Sequence, residues 1–205
     1  MADWSRFLPY LLPHVAGVAE PAAEQALRES ASLFLKKTRA WREWLAEITA
    51  VDGQRTYALV LPAGAQVVQI EKATANGSDI STLAWAGFKA DPALYPPNEA
   101  GVASRDRVSV TLGQAWPAGT KIQVQVSLTC SEDATGVADA IFAHHRKAIV
   151  DGAKADLMLK PGATYADPDR AAVARADFQA AIDEEAARVY RAHSNNMPRR
   201  RPAWC

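Results

Sequence analysis

The chain of 205 residues has a mass of 22.1 kDa, 49% hydrophobic and 22% charged residues, and equal totals of Lys+Arg and Asp+Glu, 23 of each. That composition is ordinary for a soluble globular protein, and one compact body of this mass buries roughly 70% of its unfolded surface, enough for one good core or two smaller ones. Zero formal net charge weighs against a general nucleic-acid binder, because neutralising phosphate takes a basic surface and not only a basic tip.

Residues 1–20 form a proline-broken lead-in. Trp4, Phe7, Leu8, Tyr10, Leu11, Leu12 and Val15 make it too apolar for a free tail. The expectation is a short helix or extended segment packed on the main body or on a neighbouring subunit. Pro9 and Pro13 interrupt its apolar character, and no basic stretch precedes a long apolar run. The chain therefore reads as lacking a signal peptide or a membrane span, and as made in the cytosol. Cys130 and Cys205 read as free thiols of a reducing compartment.

Pro21 suits a first helical position, and Glu20 and Glu24 suit the positive end of a helix dipole. Ala23, Ala26, Leu27, Ser30, Ala31, Phe34 and Thr38 then recur at helical spacing, predicting a helix of about five turns that ends between Arg39 and Trp44. From Trp44 to Thr129 the signals become strand-like and turn-rich. Asp52-Gly53 separates residues 44–50 from 56–61 and predicts a hairpin. Asn76-Gly77 separates 67–73 from 80–83 and predicts a second, with a type I′ turn. Asp91-Pro92 and Pro96-Pro97 mark a long loop. Residues 107–112 and 121–129 predict a third pair around Pro117-Ala118-Gly119. In the last strand Ile122, Val124, Val126 and Leu128 face one way and Gln123, Gln125 and Ser127 the other. Several short strands at this spacing suggest a small sandwich or barrel.

Helical periodicity returns after Asp133. Val137, Ile141, His145, Ala148, Ile149 and Gly152 form a stripe towards Leu159, and Pro161-Gly162 stops it. Asp167 is a good N-cap with Pro168 at the first helical position. Ala171, Ala174, Arg175, Phe178, Ile182 and Val189 carry a last helix to about His193. The expected fold class is α+β. A helical layer of about three main helices (1–44 and 131–193) is interrupted by an inserted all-β domain (45–130), and an extended basic arm (194–205) closes the chain.

From Arg188 to Cys205 there are five arginines and no acid. Pro198 and Pro202 bracket Arg199, Arg200 and Arg201, and Trp204 sits near the tip. Proline lacks the N–H donor that a helix needs, so the arm is expected to be extended and able to reach about 40 Å. Forked arginine–carboxylate bonds and an aromatic anchor make these six residues candidates for docking on a partner.

Other chemical candidates are weaker. His144 and His145 point about 100° apart on a helix and cannot ligate one metal together; one is expected at an interface and one in solvent. Glu184-Glu185 and Arg42-Glu43 read as ordinary helix-surface charges. No nucleophile elbow, phosphate loop or dinucleotide loop is present, and no catalytic residue, metal or cofactor is expected. Trp41 and Trp44 lie where the first helix enters the β-region. They read as the packing joint between the two parts, the alternative being a partner-facing hot spot.

Phe7-Leu8-Pro9-Tyr10-Leu11-Leu12-Pro13-His14-Val15, Pro21-Ala22-Ala23-Glu24-Gln25-Ala26-Leu27-Arg28 and Thr38-Arg39-Ala40-Trp41-Arg42-Glu43 resemble the N-terminal half of head-to-tail adaptor proteins of tailed bacteriophages. The run Ala148 to Met158, the following Pro161-Gly162, the last helix and the arginine-rich tail are similar to the same family. Where this chain has His145 the family often has an aromatic residue, and near Tyr165 commonly a tryptophan. The resemblance implies a non-enzymatic virion protein made in the host cytoplasm. Such proteins form a ring, usually of twelve copies, beneath the portal, with helices in the ring wall. Their C-terminal arm inserts between portal subunits, and their β-module faces outward or towards tail or nozzle components. Genomic DNA passes through the lumen without being read, and no membrane is involved. Two other classes stay open on the residues alone: a nucleic-acid-binding module using the basic arm, and an enzyme carrying a small β-domain.

Overall fold

The computed structural model describes residues 1–83, 85 and 101–193. The expected loop at Asp91-Pro92 and Pro96-Pro97 and the whole arm lie outside the described residues. Within them the protein is a mixed α+β fold, in which a helical layer packs against one end of a curled mixed sheet.

The lead-in belongs to the body. Strand β1 (Ala2–Asp3) pairs with β10 (Gly136–Val137), and helix α1 (Leu8–Leu11) follows a short 3-10 turn. Trp4 donates its indole N–H to the Ala134 carbonyl at 2.7 Å, and Phe7 meets Phe142 edge-on at 4.8 Å. Trp4, Phe7, Leu8, Leu11 and Val15 are all buried. At about 2 kcal/mol per side chain, peeling this segment away costs an amount comparable to the whole net stability of a domain.

Helix α2 (Glu20–Thr38) buries every position of the expected stripe, from Ala23 to Thr38. It stops at Thr38, a little short of the expected range. Arg39 adopts a left-handed φ of 54° and returns its N–H to the Leu35 carbonyl, and the Thr38 hydroxyl bonds the Phe34 carbonyl. The chain enters strand β2 at Arg42, so the pair Arg42-Glu43 stands on a strand and not on a helix surface.

The large sheet runs β2 (Arg42–Trp44), β9 (Lys121–Cys130), β5 (Ala65–Ala75), β6 (Ser78–Thr82), β7 (Gly101–Ala103), β8 (Ser109–Leu112), β4 (Thr56–Ala58), and β3 (Ile48–Thr49) also pairs with β9. Of the three expected hairpins, one forms. Asn76 and Gly77 both take positive φ, 48° and 79°, as a type I′ turn requires, and β5 pairs with β6. The other two pairings are different. β4 joins β8 instead of the strand before Asp52-Gly53, and β9 joins β5, β2 and β3 instead of the strand at 107–112. The Asp52-Gly53 turn survives as a tethered loop, with the Tyr57 hydroxyl bonded to Val51 N and Gln54 O at 3.0 Å each.

Strand β9 explains both changes. Ile122, Val124, Val126 and Leu128 are at most 1% exposed, and the strand is central, paired with β5 on one side and with β2 and β3 on the other. From Ser127 on, both faces are buried, because α2 covers the second. Thr129 donates its hydroxyl across that seam to the Ser32 carbonyl at 3.1 Å. Helix α3 (Asp139–Met158) then packs on α2, and α4 (Pro168–His193) on α3. One continuous cluster of buried side chains runs from Trp4 through the helices into the sheet.

Candidate functional site

Helices α2, α3 and α4 meet at Gly152. A Cβ there would stand 2.2 Å from Ser30 Oγ and 3.0 Å from Phe178 Cζ, and Ser30 Oγ is already committed to the Ile149 carbonyl at 2.7 Å. This close approach fixes the three axes. Asp167 starts α4 by accepting the Arg170 N–H at 3.0 Å, as its N-cap position predicts. From there α4 runs antiparallel to α3, and the two diverge into a groove of about 770 Å³.

Phe34, Ala148 and Ala181 supply the apolar lining of the groove, and four carboxylates, Asp151, Asp177, Glu184 and Glu185, line it with Lys147, Arg188, His144 and His145. With neutral imidazoles its formal charge is therefore negative. Glu185 is only 8% exposed, which corrects its reading as a surface charge. It accepts a forked bond from Arg188, at 2.8 Å from Nε and 2.6 Å from Nη2, and lies 3.9 Å from His145 Nε2. A buried carboxylate left unpaired would be costly; the fork supplies the partner. Asp151 is buried as well and takes Lys154 Nζ at 3.0 Å. Asp177 and Glu184 are exposed and form no ion pair among the described residues.

The two histidines divide as their angular offset requires. His145 turns inward, its ring 5.0 Å from that of Phe34, while His144 is exposed. Burial holds the His145 pKa below its ordinary 6.5; Glu185 opposes that shift, and Arg188 and His144 reinforce it. Among the described residues no group of three or more His, Cys, Asp and Glu side chains is placed to hold a metal, and no helix there is long and apolar enough to cross a membrane.

Of the residues singled out from the sequence, Arg199, Arg200, Arg201, Trp204, Pro198 and Pro202 lie outside the described residues. Trp41 and Trp44 part company. Trp41 is buried at the joint between α2 and the sheet, its carbonyl accepting Leu128 N–H at 2.8 Å, while Trp44 on β2 keeps 45% of its surface exposed. The same joint holds an ion cluster absent from the sequence reading: Glu71 on β5 sits 3.7 Å from Arg39 and 3.6 Å from Arg42. Glu71 falls at a register shift of the β5–β9 pair, and a bulge re-aims a side chain in this way. The spacing Glu185-x-x-Arg188 was the available signal for the groove, but helix-surface pairs at that spacing are common. Cys130 is a buried free thiol, its pKa pushed up to about 12 by burial.

Past Glu185, no described side chain of α4 is buried, and Tyr190 is 72% exposed. No protein-family model matches the chain, and no curated protein matches it either.

Proposed function

We propose that this chain is a structural virion protein, a head-to-tail adaptor that joins the DNA-filled head to the tail beneath the portal vertex. In this reading, copies of the chain assemble as a ring, the helical layers stand side by side in its wall, and each basic arm docks on portal. DNA threads the lumen, and the sheet faces tail components. The observation that carries the reading is the course of α4. Its final turns leave the core, expose Tyr190, and lead straight into the acid-free stretch with Arg199, Arg200, Arg201 and Trp204. A helix built in this way presents a cationic, aromatic terminus to a neighbour. A second support is spatial: the segments that carry the adaptor resemblance, at 7–15, 21–28 and 148–158, pack together in one layer.

The test is a pull-down on purified portal with the full chain and with a chain ending at His193. Charge-assisted bonds contribute about 1.5–3 kcal/mol each, so removing three arginines and an anchoring tryptophan is expected to weaken binding by more than about 100-fold. Far-ultraviolet circular dichroism should stay unchanged. Equal binding by both chains sinks the proposal. So does tight, steeply salt-dependent binding of the full chain to arbitrary DNA without portal, which is the behaviour of a phosphate binder.

A further inference from the structure

The groove between α3 and α4 has a charge and a position that the docking of the arm on portal does not use. Asp151 and Glu185 are committed to Lys154 and Arg188, which leaves the carboxylates of Asp177 and Glu184 in the groove with Lys147. Asp177 and Glu184 point acid into solvent with no ion pair among the described residues. Phosphate is repelled by such a surface; guanidinium is attracted. The nearest strongly cationic segment in the chain begins where α4 stops.

We infer that, before assembly, the groove holds the chain's own arm, with Arg199 to Arg201 over Asp177 and Glu184. This rests on the adaptor reading for its purpose and on chain geometry for its feasibility. The groove lies along residues 177–188 of α4, which places its ends about 7 Å and 24 Å back from His193 at the helical rise. With Ser194-Asn195-Asn196 spent on the reversal, Arg199 to Arg201 lie three to five extended residues further on, about 10–17 Å back along α4, level with Glu184 and with Asp177 within about one arginine side chain's further reach. Ser194-Asn195-Asn196 is turn chemistry at the point where the reversal is needed.

The contact can be weak and still persist. A short tether gives an effective concentration of about 1 mM, so an intrinsic Kd of about 0.1 mM keeps the arm docked about 90% of the time. Portal then competes for an arm that is free about a tenth of the time, and its apparent affinity is about tenfold lower than its intrinsic one. The groove thus delays engagement of the arm until portal presents a stronger site.

The experiment uses the full chain with a nitroxide on Cys205. Cys130 is buried and its thiol pKa is about 12, so it stays unlabelled. Paramagnetic broadening of amide signals is expected along residues 144–151 and 177–188. It should be lost in the Asp177→Lys/Glu184→Lys variant, whose two positions are exposed, and reduced in 0.5 M salt by screening. The variant should also bind portal about tenfold more tightly than the unaltered chain. Absence of broadening at the groove overturns the inference. Broadening that survives when labelled chains are mixed with isotope-enriched unlabelled ones also overturns it, because the arm then comes from a second copy. Broadening as expected without any portal binding removes the adaptor reading alone and leaves the stored arm standing.

Discussion

His145 occupies a position where burial and charge oppose each other. It is packed on Phe34 of α2, and Glu185 and Arg188 of α4 and His144 of its own helix act on its charge, with Lys147, Asp151, Asp177 and Glu184 in the same groove. Burial dominates and lowers its pKa, so the unfolded chain takes up a proton at higher pH than the folded one. The linkage sign follows: the contribution is whole above pH 6.5 and declines as pH falls through the lower folded pKa. The urea midpoint should therefore fall between pH 7 and pH 5, and His145→Phe, which fills the same space without a titrating group, should shallow that fall. Equal slopes in both proteins would remove His145 as the cause. Gly152 makes a purely steric case. Alanine at a helix interior normally stabilises by about 1 kcal/mol, but here its Cβ meets Ser30 and Phe178. Overpacking of this kind costs about 1–3 kcal/mol, so Gly152→Ala should lower stability in urea titration, and a gain would show that the helices yield.

At the scale of elements, the helices follow their local signals closely. Asp167 caps α4 through the Arg170 N–H; Asp167→Ala should cost about 1 kcal/mol and Asp167→Asn much less, as read from thermal or chemical midpoints. The stripe of α2 was legible residue by residue, because a 3.6-residue period on a helix covering a core leaves an unambiguous apolar face; that of α3 held from Ile141 on, but Val137, expected at its head, lies on strand β10 before the helix begins at Asp139, and His145 is only half-buried. Arg175 and Val189 were misplaced on the stripe of α4; Arg175 is exposed and Val189 only half-buried. The strands behaved differently. Asn76-Gly77 specifies its own hairpin through two positive φ angles, whereas Asp52-Gly53 marks a turn without saying which strands flank it as partners. β4 found β8 and β9 found β5 because pairing is a contest between distant segments, and β9, buried on both faces past Ser127, took a central place.

At the scale of the molecule, the charge is balanced overall and sorted locally. The arm gathers arginine without acid, and the α3–α4 groove gathers carboxylate. Net neutrality therefore hides regions of opposite local sign, and low salt should favour the inferred docking of one on the other. The loss of portal binding expected on deleting the arm belongs to this scale too, since the deletion removes the proposed partner contact while every side chain of the buried cluster, from Trp4 to Ile182, is retained.

The sequence by itself determined what depends on near neighbours: most of the helix faces, the Asp167 cap, the type I′ turn, the alternation of β9, the divergence of His144 and His145, and the acid-free terminus. Only the tertiary structure decided which strands pair, that Glu185 and Glu71 are interior ions and not surface ones, and that Trp41 is covered while Trp44 is half open. The reason is that burial belongs to a contact and not to a residue. A carboxylate or an indole has the same sequence neighbours whether water or another helix lies across from it.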